Sequence, residues 1–584
     1  MIEDIYEPRT RYRDELEENF AQLTEEEFDR LLKKSGVNEA ENHATVTQIE
    51  KKTKEKNRLD LKRNFWLVCI IIMIVLPIVG IFMLILDLKA GNGLTKQGFI
   101  GIALMFVCTA LLFGIILPLH KKYSSLVAAL EAEISNLTQK AWDQMRPLND
   151  LYPWDITTKL IQKICPQFKF DPYFTTNRLI DMKKAFGWND DYNEERSVVY
   201  AHSGELYGNP FVFAEMKEMH WETKVYTGTK TIFWTERERG SDGKMRSVTK
   251  SQTLVATVEK PIPVFYSDKF LLFGHEAAPN LSFGREPSEH SGSGNGFFAA
   301  IGKKMELSKL RKLSRNLDDD LDFTMMNNEE FELLFHAINR DNEVEFRLLF
   351  TPLAQQQMVQ LLNDKEIGYG DDFSFFKIEK MNMIRANHLD ELGFQTLPER
   401  FHHYSLKDAK ELFLSYNRAF FKSFYFAFAP LLTIPLYQHS RSAAETDYSY
   451  HNKASFWEHE AIANYYGDSE LANPECNTET IMKTHVLEDL PDGSTKVAVH
   501  SSGFKKEPRV DYISVYGNDG RYHTVPVEWD EYLPSDRDSV LIIMEDADPQ
   551  IQGDAERVRS NLDIWQCLYR NSIRYRELFA CIVE

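Results

Sequence analysis

Two long apolar segments constrain this chain more than any other feature of its sequence. Residues 65–86 and 98–119 contain no charged side chain, and a helix needs about 20 apolar residues to cross the hydrocarbon core of a bilayer. Both segments therefore predict transmembrane helices, joined as a hairpin over residues 64–120. The acidic N-terminus lacks the basic region of a secretory signal, so we expect the first segment to be a retained anchor.

Cations flank this hairpin on one side. Lys121 and Lys122 follow the second segment at once, whereas the loop 87–97 carries only Lys89 and Lys96. The residues before the first segment are strongly basic, with Lys51, Lys52, Lys54, Lys56, Arg58, Lys62 and Arg63. The positive-inside rule then places both termini in the cytoplasm. The same cations are suited to attract anionic lipid head groups, at about 1 kcal/mol each near the surface.

The apolar segments themselves contain no ionisable residue. Channels and transporters usually place charged groups at membrane depth, so this absence favours an anchor, and conduction would require an oligomer whose helices line a pore. The segments do contain small residues, and Gly80 together with Gly98 and Gly101 would let the two helices approach closely.

The length, net charge and cysteine spacing of the chain exclude several classes of protein. The chain has 584 residues and a formal net charge of -20, which predicts several domains and argues against nucleic acid as a partner. Its six cysteines show no Cys-x-x-Cys spacing, so we predict neither a disulfide framework nor a zinc site.

The segments that flank the hairpin are predicted to be helical in part. Residues 1–63 are expected to form a charged cytoplasmic tail with one short helix, which opens at a capping box of Thr24 and Glu27 and ends at Gly36. Residues 121–150 predict an amphipathic stalk helix with apolar residues at helical spacing. The stalk would pair with the helix that leads into the first segment or with a copy of itself.

The rest of the chain predicts an α+β fold with mainly antiparallel sheets, because short β-branched and aromatic runs alternate with turn residues and helical patterns. We expect a first α+β domain over 151–285, a flexible linker over 286–296, a basic helix and second α+β unit over 297–440, and a C-terminal α+β unit over 441–584. Turns at 240–243, 491–494 and 518–520 predict hairpins, and residues 554–583 predict a terminal helix.

Two segments leave their relation to the membrane open. The basic amphipathic stretch 297–317 either lies on the membrane surface or packs on its own domain. Residues 424–437 are apolar, but they contain Pro430 and Pro435 and are too short to span a bilayer. They are expected to be buried or interfacial.

No catalytic, cofactor-binding or metal-binding residue is predicted. His459 and Glu460 match half of a zinc-peptidase helix, but Ala463 occupies the position of the second histidine. A calcium loop of Asp318, Asp320, Asp322 and Glu329 has Phe323 where the turn requires glycine. The remaining histidines show no ligand spacing, namely His202, His220, His275, His402 and His403.

Three stretches carry a resemblance to a known family: GNPFVFAEMKEMHW (208–221), FELLFHAINRDNEVEFRLLFTPLAQQQMVQLLND (331–364) and FSFFKIEKMNMI (373–384). Over roughly residues 60–385 the chain resembles bacterial membrane proteins built on a domain of unknown function, of the type numbered 3137. The resemblance implies a bacterial inner-membrane protein with two N-terminal spans before a cytoplasmic α+β domain. It implies no catalytic residues, and the stretch 223–251 and the C-terminal third depart from it.

These observations favour a membrane-anchored protein whose cytoplasmic region acts as a binding, scaffolding or sensing module. Its expected partner is another protein, and a homo-oligomer is compatible with the same observations. One alternative is a membrane-tethered enzyme, such as a hydrolase, with a site assembled in residues 440–530. The other is a subunit of an oligomeric channel or transporter.

Overall fold

The computed structural model describes residues 7–89, 96–189, 196–239, 245–288, 308–310, 323–395, 397–441, 453–491, 493–545 and 572–583. The described chain is α+β, with antiparallel sheets and an N-terminal helical region that contains two apolar helices. It divides into two compact units. The helical unit comprises Thr24–Pro153 and Pro398–Tyr416, and the α+β unit comprises the described residues of Met1–Leu23, Trp154–Leu397 and Asn417–Glu584.

The helices in chain order are α1 (Pro8–Arg11), α2 (Glu17–Ser35), α3 (Glu39–Lys89), α4 (Lys96–Leu111), α5 (Leu117–Asn149), α6 (Ile156–Ile164), α7 (Thr176–Phe186), α8 (Glu329–Phe335), α9 (Glu343–Leu349), α10 (Pro352–Leu362), α11 (Leu406–Leu432), α12 (Phe456–Tyr466) and α13 (Asp468–Leu471). The strands are β1 (Phe168–Phe170), β2 (Arg196–Leu206), β3 (Asn209–Arg239), β4 (Met245–Gly274), β5 (Phe283–Arg285), β6 (Phe373–Ile378), β7 (Met381–Ala386), β8 (Ile481–Asp489), β9 (Thr495–Ser502), β10 (Phe504–Tyr516), β11 (Tyr522–Pro534), β12 (Arg537–Glu545), β13 (Ile573–Tyr575) and β14 (Leu578–Val583).

The helical unit is built on two long antiparallel helical stretches. Helix α3 runs without a break from the soluble part through the first apolar segment, and α4 continues through a π-helical turn, Leu112–Ile116, into α5. Ion pairs join the soluble parts of α3 and α5, with Lys52 Nζ 2.9 Å from Glu133 and Lys56 Nζ 2.8 Å from Glu131. The stalk therefore pairs with the helix that leads into the first apolar segment.

The two apolar segments pass close to one another at two glycines. A Cβ atom on Gly80 would lie 2.8 Å from the carbonyl oxygen of Gly101, and a Cβ on Gly101 would lie 2.6 Å from that of Gly80. This confirms the predicted close approach of small residues. Both α3 and the second helical stretch, from Phe99 in α4 to Asn149 in α5, are long and apolar enough to cross a membrane.

The prediction of a short helix that opens at Thr24 is wrong. Helix α2 already begins at Glu17, and Thr24 is buried in its interior. The apolar stripe extends upstream of the capping box through Tyr12, Leu16 and Phe20, all buried, and the Phe20 ring stacks on Phe421 at 4.1 Å. Tertiary burial of this stripe outweighs a local cap signal. The N-terminal residues from Glu7 onward are therefore part of the fold and not a tail, whereas Gly36 ends α2 with φ +65°, as predicted.

The core of the α+β unit is a seven-stranded antiparallel sheet in the order β1-β2-β3-β4-β7-β6-β5. The aromatic half of α11 covers one face, where Phe424 lies 5.2 Å from Phe168 and Phe428 lies 5.1 Å from Phe211. The apolar segment 424–437 is therefore buried against this sheet, which decides between the two expected placements. Helices α7 and α12 pack on the opposite face.

A five-stranded sheet in the order β13-β14-β12-β9-β8 completes the C-terminal part. The predicted hairpins are confirmed, with β8 paired to β9 and β10 paired to β11. The prediction of a helix over 554–583 is wrong for the described residues 572–583. These residues form the strands β13 and β14, and β14 pairs with β12. A short apolar run such as 578–583 fits either state by periodicity, and the open edge of β12 selects the strand.

Several predicted segments fall on residues outside the described ranges. These are most of the linker 286–296, the basic stretch 297–317 apart from 308–310, the three aspartates of the calcium-like loop, the centre of the inter-segment loop and residues 546–571.

Candidate interaction surface

Strands β3 and β4 extend far beyond the sheet that they help to form. The last pair between β2 and β3 joins Arg196 to Glu218, and β7 pairs with β4 only at 271–274. Beyond these points β3 and β4 pair with each other, without a register shift, out to Arg239 and Met245. We call this two-stranded extension, residues 219–239 and 245–268, the β-arm.

The hairpin β10–β11 covers one face of the β-arm. The shared core contains Ile232 and Leu254 from the β-arm and Val525 and Val527 from β11, all buried. At Gly228 the backbones touch, since a Cβ there would lie 2.0 Å from the carbonyl oxygen of Pro526. The β-arm and the hairpin therefore form a small two-layer sandwich with its own core.

The outer face of the β-arm is exposed and rich in hydroxyl groups. Side chains alternate between the two faces of a strand, so the odd-numbered residues of the β-arm from Thr223 to Arg239 and from Met245 to Pro261 lie on the face away from β10–β11. Just over half of these residues are threonine or serine: Thr223, Thr227, Thr229, Thr231, Thr235, Ser247, Thr249, Ser251, Thr253 and Thr257. The same face carries the exposed apolar residues Val225, Phe233 and Val255. Trp221 is half exposed, and its ring lies 5.0 Å from that of Phe504 at the start of β10.

The outer face of β10–β11 carries a cluster of exposed tyrosines. Tyr512 is 71% exposed and Tyr522 is 73% exposed, and the rings of Tyr516 and Tyr522 lie 5.1 Å apart across the ladder. Tyrosine offers a large apolar ring and a hydrogen-bonding hydroxyl, and it is enriched in protein interfaces. This cluster is therefore suited to contact another protein.

The acids of α12, where an enzyme site was one expectation, bind elements of the fold instead. Glu458 accepts a hydrogen bond from the Phe174 N–H at 3.0 Å and pairs with Arg576 at 3.1 Å. Glu460 accepts from the Val198 N–H at 3.0 Å and pairs with Lys483 at 3.0 Å. Both carboxylates are buried. They fasten α12 to β2 and its neighbours on one side and to β8 and the β13–β14 turn on the other.

Burial sets the charge state of two of these α12 side chains. It raises the pKa of Glu460 to about 7, opposed by Lys483. It lowers the pKa of His459 to about 4, so this imidazole is neutral at pH 7. The two acids point to different partners, and they do not converge with His459 on a common reacting position.

A second buried polar group lies on strand β6 of the seven-stranded sheet. Lys377 is fully buried and donates to the carbonyl oxygens of Ala277 and Glu379, and burial lowers the pKa of its ammonium to about 7. On the same face, the Tyr437 hydroxyl donates to Asn382 Oδ1 at 2.7 Å. The ammonium is bound by main-chain acceptors, which is a structural role.

The other histidines considered from sequence are dispersed. His202 is buried between Tyr200 and the Asp171 carbonyl, His275 accepts the Ala277 N–H, and His403 accepts the Ser405 N–H. Within the described residues, no three His, Cys, Asp or Glu side chains are grouped to hold a metal ion.

Sequence reasoning predicted strands in the β-arm but missed their length and the surface they form. A usable signal was present, because Thr227, Thr229 and Thr231 alternate on one face of the strand with few charges. The docking of β10–β11 on the other face has no counterpart in local sequence.

Comparison of this chain with known proteins gives no match, whether with family models, with curated proteins or with solved structures. The candidate surface is therefore argued from its own geometry.

Proposed function

We propose that this protein is a membrane-anchored docking protein, in which the two apolar helices sit in the bilayer and the sandwich of β-arm and β10–β11 binds a protein partner. The observation that carries the docking role is the exposed tyrosine face of Tyr512, Tyr516 and Tyr522. A rigid sheet presents these rings without loss of backbone entropy on binding, which favours affinity.

The exposure of the apolar helices supports the anchor. Phe65, Phe82 and Phe113 point away from the helix pair, and Phe106 is 75% exposed. Apolar surface left in water costs about 25 cal/mol per Å², so a bilayer is the environment that such helices require. The resemblance to bacterial two-span proteins supports the same location, a bacterial inner membrane.

The cations near the hairpin support cytoplasmic termini. The pairing of α3 with α5 neutralises Lys52 and Lys56 through the acids of the stalk. Four other cations are exposed and, at spacings of three or four residues, lie on one face of α3: Lys51, Lys54, Arg58 and Lys62. Those nearest the apolar segment are placed to bind anionic lipid head groups.

The anchor and its topology can be tested in cells. A reporter active only in the cytoplasm, fused after Glu584, is expected to give signal. A single cysteine at Asn92 in the inter-segment loop is expected to react with an impermeant maleimide from the opposite side. A silent reporter or a protected cysteine would contradict the proposed topology, and release of the protein by carbonate would contradict the anchor.

Docking can be tested with a photo-crosslinking amino acid at Tyr512 and, separately, at Tyr522, in the full-length protein in its membrane. We expect the same adduct from both positions. Val344 is a matched control, since it is 78% exposed and lies on α9, away from the β-arm. An adduct that forms equally from Val344, or none from either tyrosine, would refute docking at this face.

A further inference from the structure

The lateral edge of β3 in the β-arm is an open row of hydrogen-bonding groups. Direct pairs in an antiparallel ladder alternate between hydrogen-bonded and non-bonded types. Pro261 and Pro263 lack an N–H and pair with Thr223 and Trp221, so these pairs are of the non-bonded type. The N–H and C=O groups of the odd-numbered residues of β3 therefore point away from β4, toward the open edge.

The other edges of the sandwich are less open. Strand β4 carries Pro261 and Pro263 on its outward positions, and β10 lies over its side, with Lys260 Nζ 2.8 Å from Asp511. Outward positions of β10 and β11 are interrupted by Pro508, Pro526 and Pro534. In contrast, β3 contains no proline and no bulge from Trp221 to Arg239. Long regular edges of this kind recruit a further strand.

We propose that the β3 edge pairs with the β3 edge of a second copy of this chain, antiparallel about a two-fold axis at Thr231. The interface is isologous, as in most homodimers. In this register Lys224 lies opposite the second copy's Glu238, and the symmetry gives this contact twice. Glu238 also pairs with Lys250 of its own chain at 2.5 Å, so the carboxylate would bridge two ammonium groups. Thr227 lies opposite the second copy's Thr235, and no like charges face each other between Thr223 and Arg239.

Charge pairing and the length of the paired stretch favour this register over its neighbours. A centre at Phe233 also gives an ion pair, Lys230 with the second copy's Glu236, but it pairs only residues 227–239 of β3, whereas the centre at Thr231 pairs residues 223–239. A centre at Lys230 places Glu222 opposite the second copy's Glu238, and the two Lys230 side chains opposite each other. A centre at Thr229 places Glu222 opposite the second copy's Glu236. A centre at Ile232 brings no cation opposite an acid. Opposite charges in direct cross-strand pairs stabilise a sheet and like charges destabilise it.

This inference goes beyond the proposed docking function and does not depend on the partner of the tyrosine face. The tyrosines lie on the outer face of β10–β11, whereas the second copy would join at the edge of β3. If photo-crosslinking at Tyr512 gives no adduct while the dimer forms, only the tyrosine docking site is refuted. The reverse result would refute only the dimer.

A disulfide provides the direct test. Hydrogen-bonded cross-strand residues have Cα atoms about 5.5 Å apart, within the range that a disulfide bridges. Thr231→Cys in the full-length protein is therefore expected to give a covalent dimer on mild oxidation. Thr253→Cys is the matched control, because the Thr253 hydroxyl lies 3.2 Å from that of Thr231 on the same exposed face. Thr253 is on β4, which β3 separates from the proposed two-fold axis, so this cysteine should not form the disulfide.

A pair of proline substitutions tests the edge itself. Thr227 and Thr257 are direct partners in the β-arm, and each directs its N–H outward, so either proline leaves the β3–β4 bonds intact. Introduced beside Thr231→Cys, Thr227→Pro is expected to abolish the covalent dimer, whereas Thr257→Pro is expected to retain it. Native mass spectrometry of the detergent-solubilised proline variants, without the cysteine, is expected to show the same loss.

Four outcomes would overturn the proposal. They are the absence of a dimer with Thr231→Cys, an equal dimer with Thr253→Cys, retention of the dimer in both proline variants, and its loss in both.

Discussion

The backbone of Gly228 on β3 lies directly against the carbonyl group of Pro526 on β11. A Cβ atom at Gly228 would come within 2.0 Å of that oxygen, so the separation of the β-arm from β10–β11 is set by the absence of a side chain. The proposed docking surface depends on this contact, because the tyrosine face is held in place by the core on the other side of β10–β11.

Gly228→Ala is expected to push the two hairpins apart. Forcing an extra group into a packed core costs about 1–3 kcal/mol, and here the obstacle is main chain. Thr229→Ala, on the exposed face of the same strand, is the control and should have little effect. Chemical denaturation followed by tryptophan fluorescence, with Trp234 and Trp529 near this core, measures the difference. Equal midpoints for the two variants would contradict the contact.

Gly101→Ile is expected to separate the two apolar helices, since a Cβ at this position already meets the Gly80 carbonyl oxygen at 2.6 Å. Gly114→Ile changes the same residue type in the same apolar segment, where a Cβ meets nothing within 4 Å. The melting temperature in detergent should fall for the first variant and stay close to the unmodified value for the second. A similar fall in both would show that the glycines do not form the helix contact.

Glu460 predicts a dependence of stability on pH. Its folded-state pKa, about 7, lies above the ordinary value of 4.5, so the folded protein binds more protons between these values. Its contribution to stability is therefore full below pH 4.5 and is lost as the pH rises through 7. The loss amounts to about 3 kcal/mol, at 1.36 kcal/mol per unit of pKa difference.

Glu460→Gln should remove this loss, because a glutamine oxygen still accepts the Val198 N–H. Melting temperatures across pH 4.5 to 7.5 measure it, with exposed Glu488→Gln as the control. A fall of unchanged size in Glu460→Gln would show that another group titrates.

The buried Lys377 predicts that the stability of the protein rises with pH above pH 7, opposite in direction to the effect of Glu460. Its folded-state pKa, about 7, lies below the ordinary value of 10.5, so the unfolded chain binds more protons between these values. Stability from this group therefore rises with pH from 7 to 10.5. Lys377→Met is expected to flatten the rise in melting temperature, whereas Lys496→Met, on the surface, should retain it. A rise that persists in Lys377→Met would contradict the assignment.

The predictions that came true from sequence were those with a local cause. Gly36 predicted a helix end, and α2 ends at Ser35 with Gly36 at φ +65°. The turns at 491–494 and 518–520 predicted hairpins that β8–β9 and β10–β11 confirm. The start of α2 and the strands β13 and β14 were missed because burial against α11 and pairing with β12 decided them, and neither partner is near in sequence.

By itself, the sequence determined the two apolar segments, their small-residue contact, the α+β class and the antiparallel hairpins, because period, charge and turn chemistry are properties of short stretches. Only the tertiary structure decided that 424–437 is buried, that Glu458 and Glu460 fasten α12 to its neighbours, and that β3 and β4 continue into a β-arm covered by β10–β11. These features depend on pairing between residues far apart along the chain, where burial and hydrogen bonding across elements outweigh local preference.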